Sequence, residues 1–205
     1  MFPIQTYTGG IAATNGHLLQ LPGGKILIDA PDGVADWLDE LDAYVDVLFL
    51  THQHFDHVLD AALVKAKHGC RVVAWSDFSR DLTLERLFGA FTGSSVSVPE
   101  FSVDEIVAGK DTVDACGVTW RLYHVPGHSP DSVCYHWAEK SLLFGGDVLF
   151  SYGVGRTDFP GGSHAQLVRG IQEKLLTLPD DTLVYPGHGP HTCIVEERVG
   201  NPYLQ

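Results

Sequence analysis

One stretch constrains this chain more than any other: Thr51 to His57, which reads T-H-Q-H-F-D-H. Before it runs Val45-Asp46-Val47-Leu48-Phe49-Leu50, a short, mostly apolar, β-prone run that predicts a buried strand. After it, Val58, Leu59, Ala62, Leu63 and Ala66 recur at helical spacing, and Gly69 supplies a C-cap. The stretch is therefore expected in a strand-to-helix loop. In open α/β sheets that position lies beyond the carboxyl end of a strand, where ligands bind. His52, His54, Asp56 and His57 are all side-chain types that hold metal ions. A lone histidine is usually a satisfied surface or core residue. Three histidines and one aspartate packed this closely would be costly to desolvate without a partner.

The remaining pattern alternates strands and helices. Leu18 to Leu21 and Lys25 to Ile28 flank Pro22-Gly23-Gly24, a hairpin signal. Asp29 ends the second of these strands and is expected to support the metal loop from behind, since loop ligands need a carboxylate or carbonyl to fix them. Val34, Trp37, Leu38 and Leu41 predict a helix. Arg71 to Trp75 reads as a strand and Asp77 to Phe88 as a helix ended near Gly89. Gly93 to Glu100 reads as a loop and, by position and composition, as a cover over the site. Strands are expected over Val118 to Val125, Ser132 to Trp137, Leu142 to Phe144 and Thr182 to Tyr185. Gly153 to Gly162 reads as an irregular loop. Ser163 opens a helix with Gln166 in capping-box position and Leu167, Ile171 and Leu175 as its buried stripe.

Three further residues share the context of the first motif. His128 and His188 each follow a strand and a Pro-Gly pair, and Asp147 follows a strand and two glycines. Glycine lets the backbone turn sharply and projects the next side chain from the end of the sheet. Alone, each would more often be a turn residue than a ligand. With the first cluster they exceed what one ion needs, and they suit two ions if one carboxylate bridges.

Composition bounds the partners. The 205 residues suit one domain, 1–205, with ordinary apolar content. Formal charge is 13 − 26 = −13 with no basic block, which argues against nucleic acid and against an anionic membrane surface. No run approaches the ~18 apolar residues of a membrane span. Met1 to Thr6 lacks the regions of a signal peptide, so a cytoplasmic location is expected. Cys70, Cys116, Cys134 and Cys193 are far apart and are expected to be buried free thiols.

T-H-x-H-x-D-H followed in order by P-G-H, G-D and P-G-H resembles the metallo-β-lactamase superfamily across nearly the whole chain. The resemblance implies a four-layer α/β/β/α sandwich with the site at one edge of the sheets. It implies one metal on His52, His54 and His128, a second on Asp56, His57 and His188, and Asp147 bridging them. The implied cofactors are two divalent ions, zinc foremost, with iron and manganese as alternatives.

Within the superfamily, G-R-T-D-F-P-G-G at 155–162 and the ending L-V-Y-P-G-H-G-P resemble the short glyoxalase II-like hydrolases. That resemblance implies hydrolysis of a small thioester or ester substrate. Two ions would lower the pKa of a shared water towards ~7 to give the attacking hydroxide, and Asp56 would orient it. G-R-T-D-F also resembles the persulfide dioxygenases, which use one iron on two histidines and an aspartate. Glyoxalase II holds glutathione with a C-terminal helical domain, a basic residue and a tyrosine two positions on. Here the chain closes soon after His188, and the pair corresponds to Arg156 and Asp158. Arg156 is thus the expected substrate contact, a fork for a carboxylate, with Asp158 as its brace. Only a modest preference for glutathione is expected.

Overall fold

The computed structural model describes residues 4–93 and 95–205. Its first sheet holds β1 (Ile4–Gly9), β2 (Thr14–Leu21), β3 (Gly24–Ile28), β4 (Val47–Phe49), β5 (Arg71–Ala74) and β6 (Glu105–Ile106), in that spatial order. β1 to β3 are antiparallel, and β3 to β6 run parallel. The second sheet begins with β7 (Thr112–Ala115), β8 (Val118–His124), β9 (Val133–Trp137) and β10 (Leu142–Gly146). A short hairpin follows, β11 (Leu149–Phe150) and β12 (Gly153–Val154), and then β13 (Leu183–Pro186) and β14 (Thr192–Cys193). Its spatial order is β14-β13-β10-β9-β8-β7, with β10 and β13 parallel.

Side-chain alternation along these strands builds the layers. In β3 and β4, Ile26, Ile28, Val47 and Phe49 face the second sheet, where they meet Trp120, Tyr135 and Phe144. Their neighbours Leu27, Leu48 and Leu50 face the other way, against Val34 and Leu38 of α1 (Val34–Glu40) and Val64 of α3 (Ala61–His68). On the far side of the second sheet, Cys134, Leu143 and Val184 pack on Leu167, Ile171 and Leu175. These belong to α6 (His164–Gly170) and the π-helical turn Ile171–Leu175 that continues it. Three apolar interfaces separating two sheets and two helical faces make the α/β/β/α sandwich. Ser163 caps α6 as expected, accepting from the Gln166 amide.

Several local expectations need correction. The helix after the motif starts inside it, as α2 (Phe55–Val58), and breaks before α3. Asp60 sits in that break and accepts from the Ala35 amide at 3.0 Å. The break rotates the buried face, so Ala61, Val64 and His68 are buried while Leu63 and Ala66 are exposed. The helix expected over 77–88 is two: α4 (Arg80–Thr83) and α5 (Glu85–Thr92), separated by Leu84 at φ +56°. α5 runs through Gly89 and ends at Gly93. Gly153–Val154 is a strand rather than part of an irregular loop. Of the thiols, Cys70 and Cys134 are buried, whereas Cys116 and Cys193 are only half-buried. A final helix, α7 (Ile194–Gly200), was not expected. No helix among the described residues is long and apolar enough to cross a membrane.

Candidate metal centre

All seven expected ligands meet at one edge of the sandwich. Parallel strands deliver them: the 52–57 loop leaves β4, Asp147 follows β10, and His188 follows β13. His128 comes from the turn between β8 and β9. The two sheets are tied together beside them. The Val133 amide donates to the Thr51 carbonyl at 2.9 Å, and the Tyr135 hydroxyl donates to the Leu50 carbonyl at 3.0 Å.

The ligand atoms fall into three overlapping groups, each within 4.8 Å: His52-His54-His128, His52-His57-Asp147 and Asp56-His57-His188. Asp147 lies between the outer two. Its Oδ2 is 3.4 Å from His128 Nε2 and 3.3 Å from His188 Nε2, and its Oδ1 is 3.3 Å from His57 Nε2. Asp56 Oδ2 is 3.3 Å from His188 Nε2 and 3.5 Å from His57 Nε2.

Behind this face, other groups fix the rings. Asp29 does what was expected of it. Its Oδ2 accepts from His57 Nδ1 at 2.9 Å and from the Thr51 hydroxyl at 2.7 Å, while Oδ1 accepts the Thr51 amide at 2.8 Å. His128 Nδ1 donates to the Arg156 carbonyl at 2.8 Å. In the neutral ring, with Nδ1 engaged as donor, each Nε2 presents a lone pair inward. The Nε2 atoms of His52, His57 and His128 and Oδ1 of Asp147 are buried and lack hydrogen-bond partners. Buried polar atoms are rarely left so, and here they sit in ligand groups whose atoms lie within 4.8 Å of one another, which points to an occupant. A divalent cation suits these donors.

Charge leads to the same conclusion. Burial would lower His57, yet Asp56, Asp147 and Asp29 around it hold its pKa well above the ordinary value. Burial likewise opposes protonation of His188, but hydrogen bonds to Asp147 and Asp56 raise it to about 9. Burial and the neighbouring histidines keep His52 well below its ordinary value, and His54 falls to about 3. Burial works against ionising Asp56, but the His57 charge takes it down to about 2. The aspartates thus hold positive charge at His57 and His188, while His52 and His54 stay neutral donors. The His/Asp cluster fits a dinuclear metal site.

Backbone room around the centre is scarce. A Cβ at Gly187 would stand 2.4 Å from Asp147 Oδ1 and 2.5 Å from His57 Cε1. Gly146, at φ +50°, brings Asp147 round a bend where a Cβ would meet Thr51 Oγ1 at 2.3 Å.

Two residues with a part in the site went unnoticed in the sequence. The Thr14 hydroxyl donates to Asp56 Oδ2 at 2.7 Å. Asn15 holds the His188 turn by donating from Nδ2 to the Pro186 and Gly189 carbonyls at 3.1 and 3.0 Å. The signal was there: Thr14, Asn15 and His17 are polar residues opening an otherwise apolar strand, and all are buried.

Arg156 lies at the rim, but its fork is taken. Nε and Nη2 grip Asp158 at 2.8 and 2.7 Å, and the guanidinium carbon sits 4.2 Å over the Phe159 ring. The brace is therefore in place. The expected cover is misplaced, however. Val98 in the 93–100 segment is fully buried, and its amide donates to Glu85 Oε2, so the residues flanking the site come from α5 instead.

Among curated relatives, the hydroxyacylglutathione hydrolase GloC of Haemophilus influenzae is 34% identical over 189 residues, covering 89% of this chain and 84% of its own. Among solved structures, the BLEG-1 B3 metallo-beta-lactamase superposes with a TM-score of 0.86 at 28% identity, covering 98% of this chain and 99% of its own. TTHA1623, solved in a di-iron-bound form, gives 0.83 at 31% identity, covering 98% of this chain and 100% of its own. The family pattern described as the metallo-beta-lactamase superfamily matches residues 9–188. Its members are metal-dependent hydrolases, and this chain belongs to that superfamily.

Proposed function

We propose that this chain hydrolyses a small thioester or related ester with two divalent ions, zinc foremost, held by the seven side chains. His52, His54 and His128 would hold one ion, Asp56, His57 and His188 the other, and Asp147 would touch both. The observation that carries the reading is the set of unpartnered buried ligand atoms of His52, His57, His128 and Asp147 at a cavity of about 510 Å³ that His54, Asp56, His128, Asp147 and His188 line. The likeness to GloC supports the choice of a thioester. Two ions in this position would supply Lewis acidity, ionising water near neutral pH and offsetting negative charge that develops on the carbonyl oxygen.

Hydrolysis adds the oxygen of water to the acyl carbon and breaks the C–S bond, giving a carboxylic acid and a thiol. Asp56, steadied by Thr14 at the cavity wall, is placed to orient that water. Asp29 and the Arg156 carbonyl keep the His57 and His128 rings in the tautomer that faces the cavity. Arg156 has only Nη1 left for a substrate carboxylate. A single such contact is worth about 1–3 kcal/mol, or on the order of 10–100-fold, so the preference for a glutathione thiol is modest.

The test compares kcat/KM for a glutathione thioester and a minimal thioester with the same acyl group, in wild type and Arg156→Ala. The expected glutathione advantage lies below about a hundredfold and shrinks in the variant. An advantage above about a thousandfold, unchanged by the substitution, would defeat it.

One observation keeps a second reading in play. His52, His57 and Asp147 by themselves form a two-histidine, one-carboxylate set, a composition suited to mononuclear iron oxygenases. Oxygen consumption with a persulfide by protein holding one iron, without thioester turnover, would select that reading.

A further inference from the structure

Beside the metal cavity lies a second hollow of about 290 Å³ that the reaction as described does not use. His54, Phe55, Asp56, Phe88, Arg156 and Phe159 line both, so the two are continuous. The smaller wall is mostly apolar: Phe55 from the motif, and Leu84, Leu87, Phe88 and Phe91 from α5 and its entry. These four recur at i, i+3, i+4 and i+7, the spacing of one helical face. Such a stripe normally packs into a core. Here only Glu85 of α5 is buried, and Phe91 is 81% exposed. An apolar face left open on the wall of a reaction cavity is shaped for a ligand.

We infer that this hollow takes the acyl half of the substrate, and that the acyl group is a hydrophobic chain or aryl-alkyl group of medium length. This rests on the thioester reading above. Polarity decides which half enters. The common biological thiol carriers are polar and charged, and burying them against phenylalanine and leucine without hydrogen-bond partners would be costly. An alkyl chain has no such cost. Volume decides the length: at about 30 Å³ per non-hydrogen atom, the hollow admits about ten of them.

Each methylene buried there contributes about fourfold in selectivity. Burying four of the six that octanoyl adds to acetyl therefore predicts about 250-fold higher kcat/KM for octanoyl. The experiment compares octanoyl and acetyl thioesters of one thiol in metal-loaded wild type, Leu87→Asp and Phe91→Asp. Binding of the matching ketone analogues, with a methylene in place of sulfur, is measured by calorimetry in parallel. The inference expects the octanoyl advantage in both readouts, and its collapse to within about threefold in the two variants. Melting temperatures of the variants confirm that they fold.

Equal kcat/KM and equal analogue binding for the two acyl lengths would overturn the acyl hollow and leave thioester hydrolysis standing. A preference that follows an alkyl group on the thiol would also overturn it. If neither thioester is turned over, the hydrolase reading fails, and the analogues alone then decide the hollow: tighter octanoyl binding upholds it and equal binding sinks it.

Discussion

The two walls of the reaction cavity are built on opposite plans. On the ligand side, Asp29 and the Arg156 carbonyl brace the His57 and His128 rings from behind, and the side chains come from the ends of strands in two interlocked sheets. On the α5 side the wall is apolar and half-exposed, and its helix joins the preceding one through Leu84 in a left-handed conformation. The difference is a division of labour. Metal chemistry needs ligand atoms held within a fraction of an ångström, which a sheet edge with braced side chains provides. Sorting substrates by apolar area needs only a greasy surface within reach, which tolerates movement.

If that contrast holds, damage should fall off steeply from one wall to the other. The largest effect is expected from Asp147→Ala, which removes the carboxylate between the two groups. It should lose most of both ions and at least about a thousandfold in activity, as loss of a principal electrostatic contact does. His188→Ala should lose about one equivalent. Elemental analysis of both variants decides this, and equal losses would break the bridging assignment.

Asp29→Ala should come next. It strands a fully buried His57 and the Thr51 amide, at a cost of about 3 kcal/mol in stability and about 10–100-fold in metal affinity, read by denaturation and chelator competition. A variant that keeps wild-type affinity would show that the ring needs no brace.

A subtler probe of the ligand side is Asp131, which is buried and accepts from the Ser129 hydroxyl and the Gln53 amide. Burial raises its pKa from 3.8 to about 6, outweighing those hydrogen bonds. The unfolded chain thus releases this proton at lower pH than the folded protein does. The contribution to stability is therefore fully present below pH 3.8 and is lost as pH rises to about 6, by up to about 3 kcal/mol. Asp131→Asn should remove that fall, as seen in denaturation curves at pH 4 and pH 7. A parallel pH dependence in both proteins would refute the assignment.

The smallest effect belongs to the other wall. Phe91→Ser should alter stability by no more than about 0.5 kcal/mol, because the ring is 81% exposed. A much larger loss of unfolding free energy would mean that α5 is a core element after all, and the contrast would fail.

How legible each wall was follows from the same physics. T-H-Q-H-F-D-H and the Gly-preceded His128, Asp147 and His188 could be read directly, since metal ligands at strand ends need particular side chains and sharp turns. Asp29 was legible as a carboxylate closing an apolar strand. α5 was misjudged because its boundary rests on Leu84 at φ +56°, a conformation that no leucine advertises. The stripe after the motif was misassigned because the chain breaks before α3, and periodicity assumes an unbroken helix. α7 escaped because its inner face is only half apolar: beside buried Ile194, buried Glu197 accepts from the Tyr152 amide, the Thr192 hydroxyl and Asn201 Nδ2. Hydrophobic spacing cannot announce a helix held in place by a carboxylate.

The connection that carries α4 and α5 leaves the sandwich after β5 and returns as β6, which pairs parallel to β5. A parallel crossover leaves the register of its two strands independent of the length of chain between them. The two ends of the crossover are anchored, Ser76, Asp77 and Ser79 to Gln53 of the metal loop and Val98 and Phe101 in the core, so substitutions on the exposed face of α5 between them can accumulate while the strands that carry the ligands keep their register. In evolutionary terms, the outer face of α5 is an exchangeable surface: if the hollow takes the acyl group, a lineage can change acyl preference by rewriting Leu87 and Phe91 while the reaction chemistry is inherited unchanged.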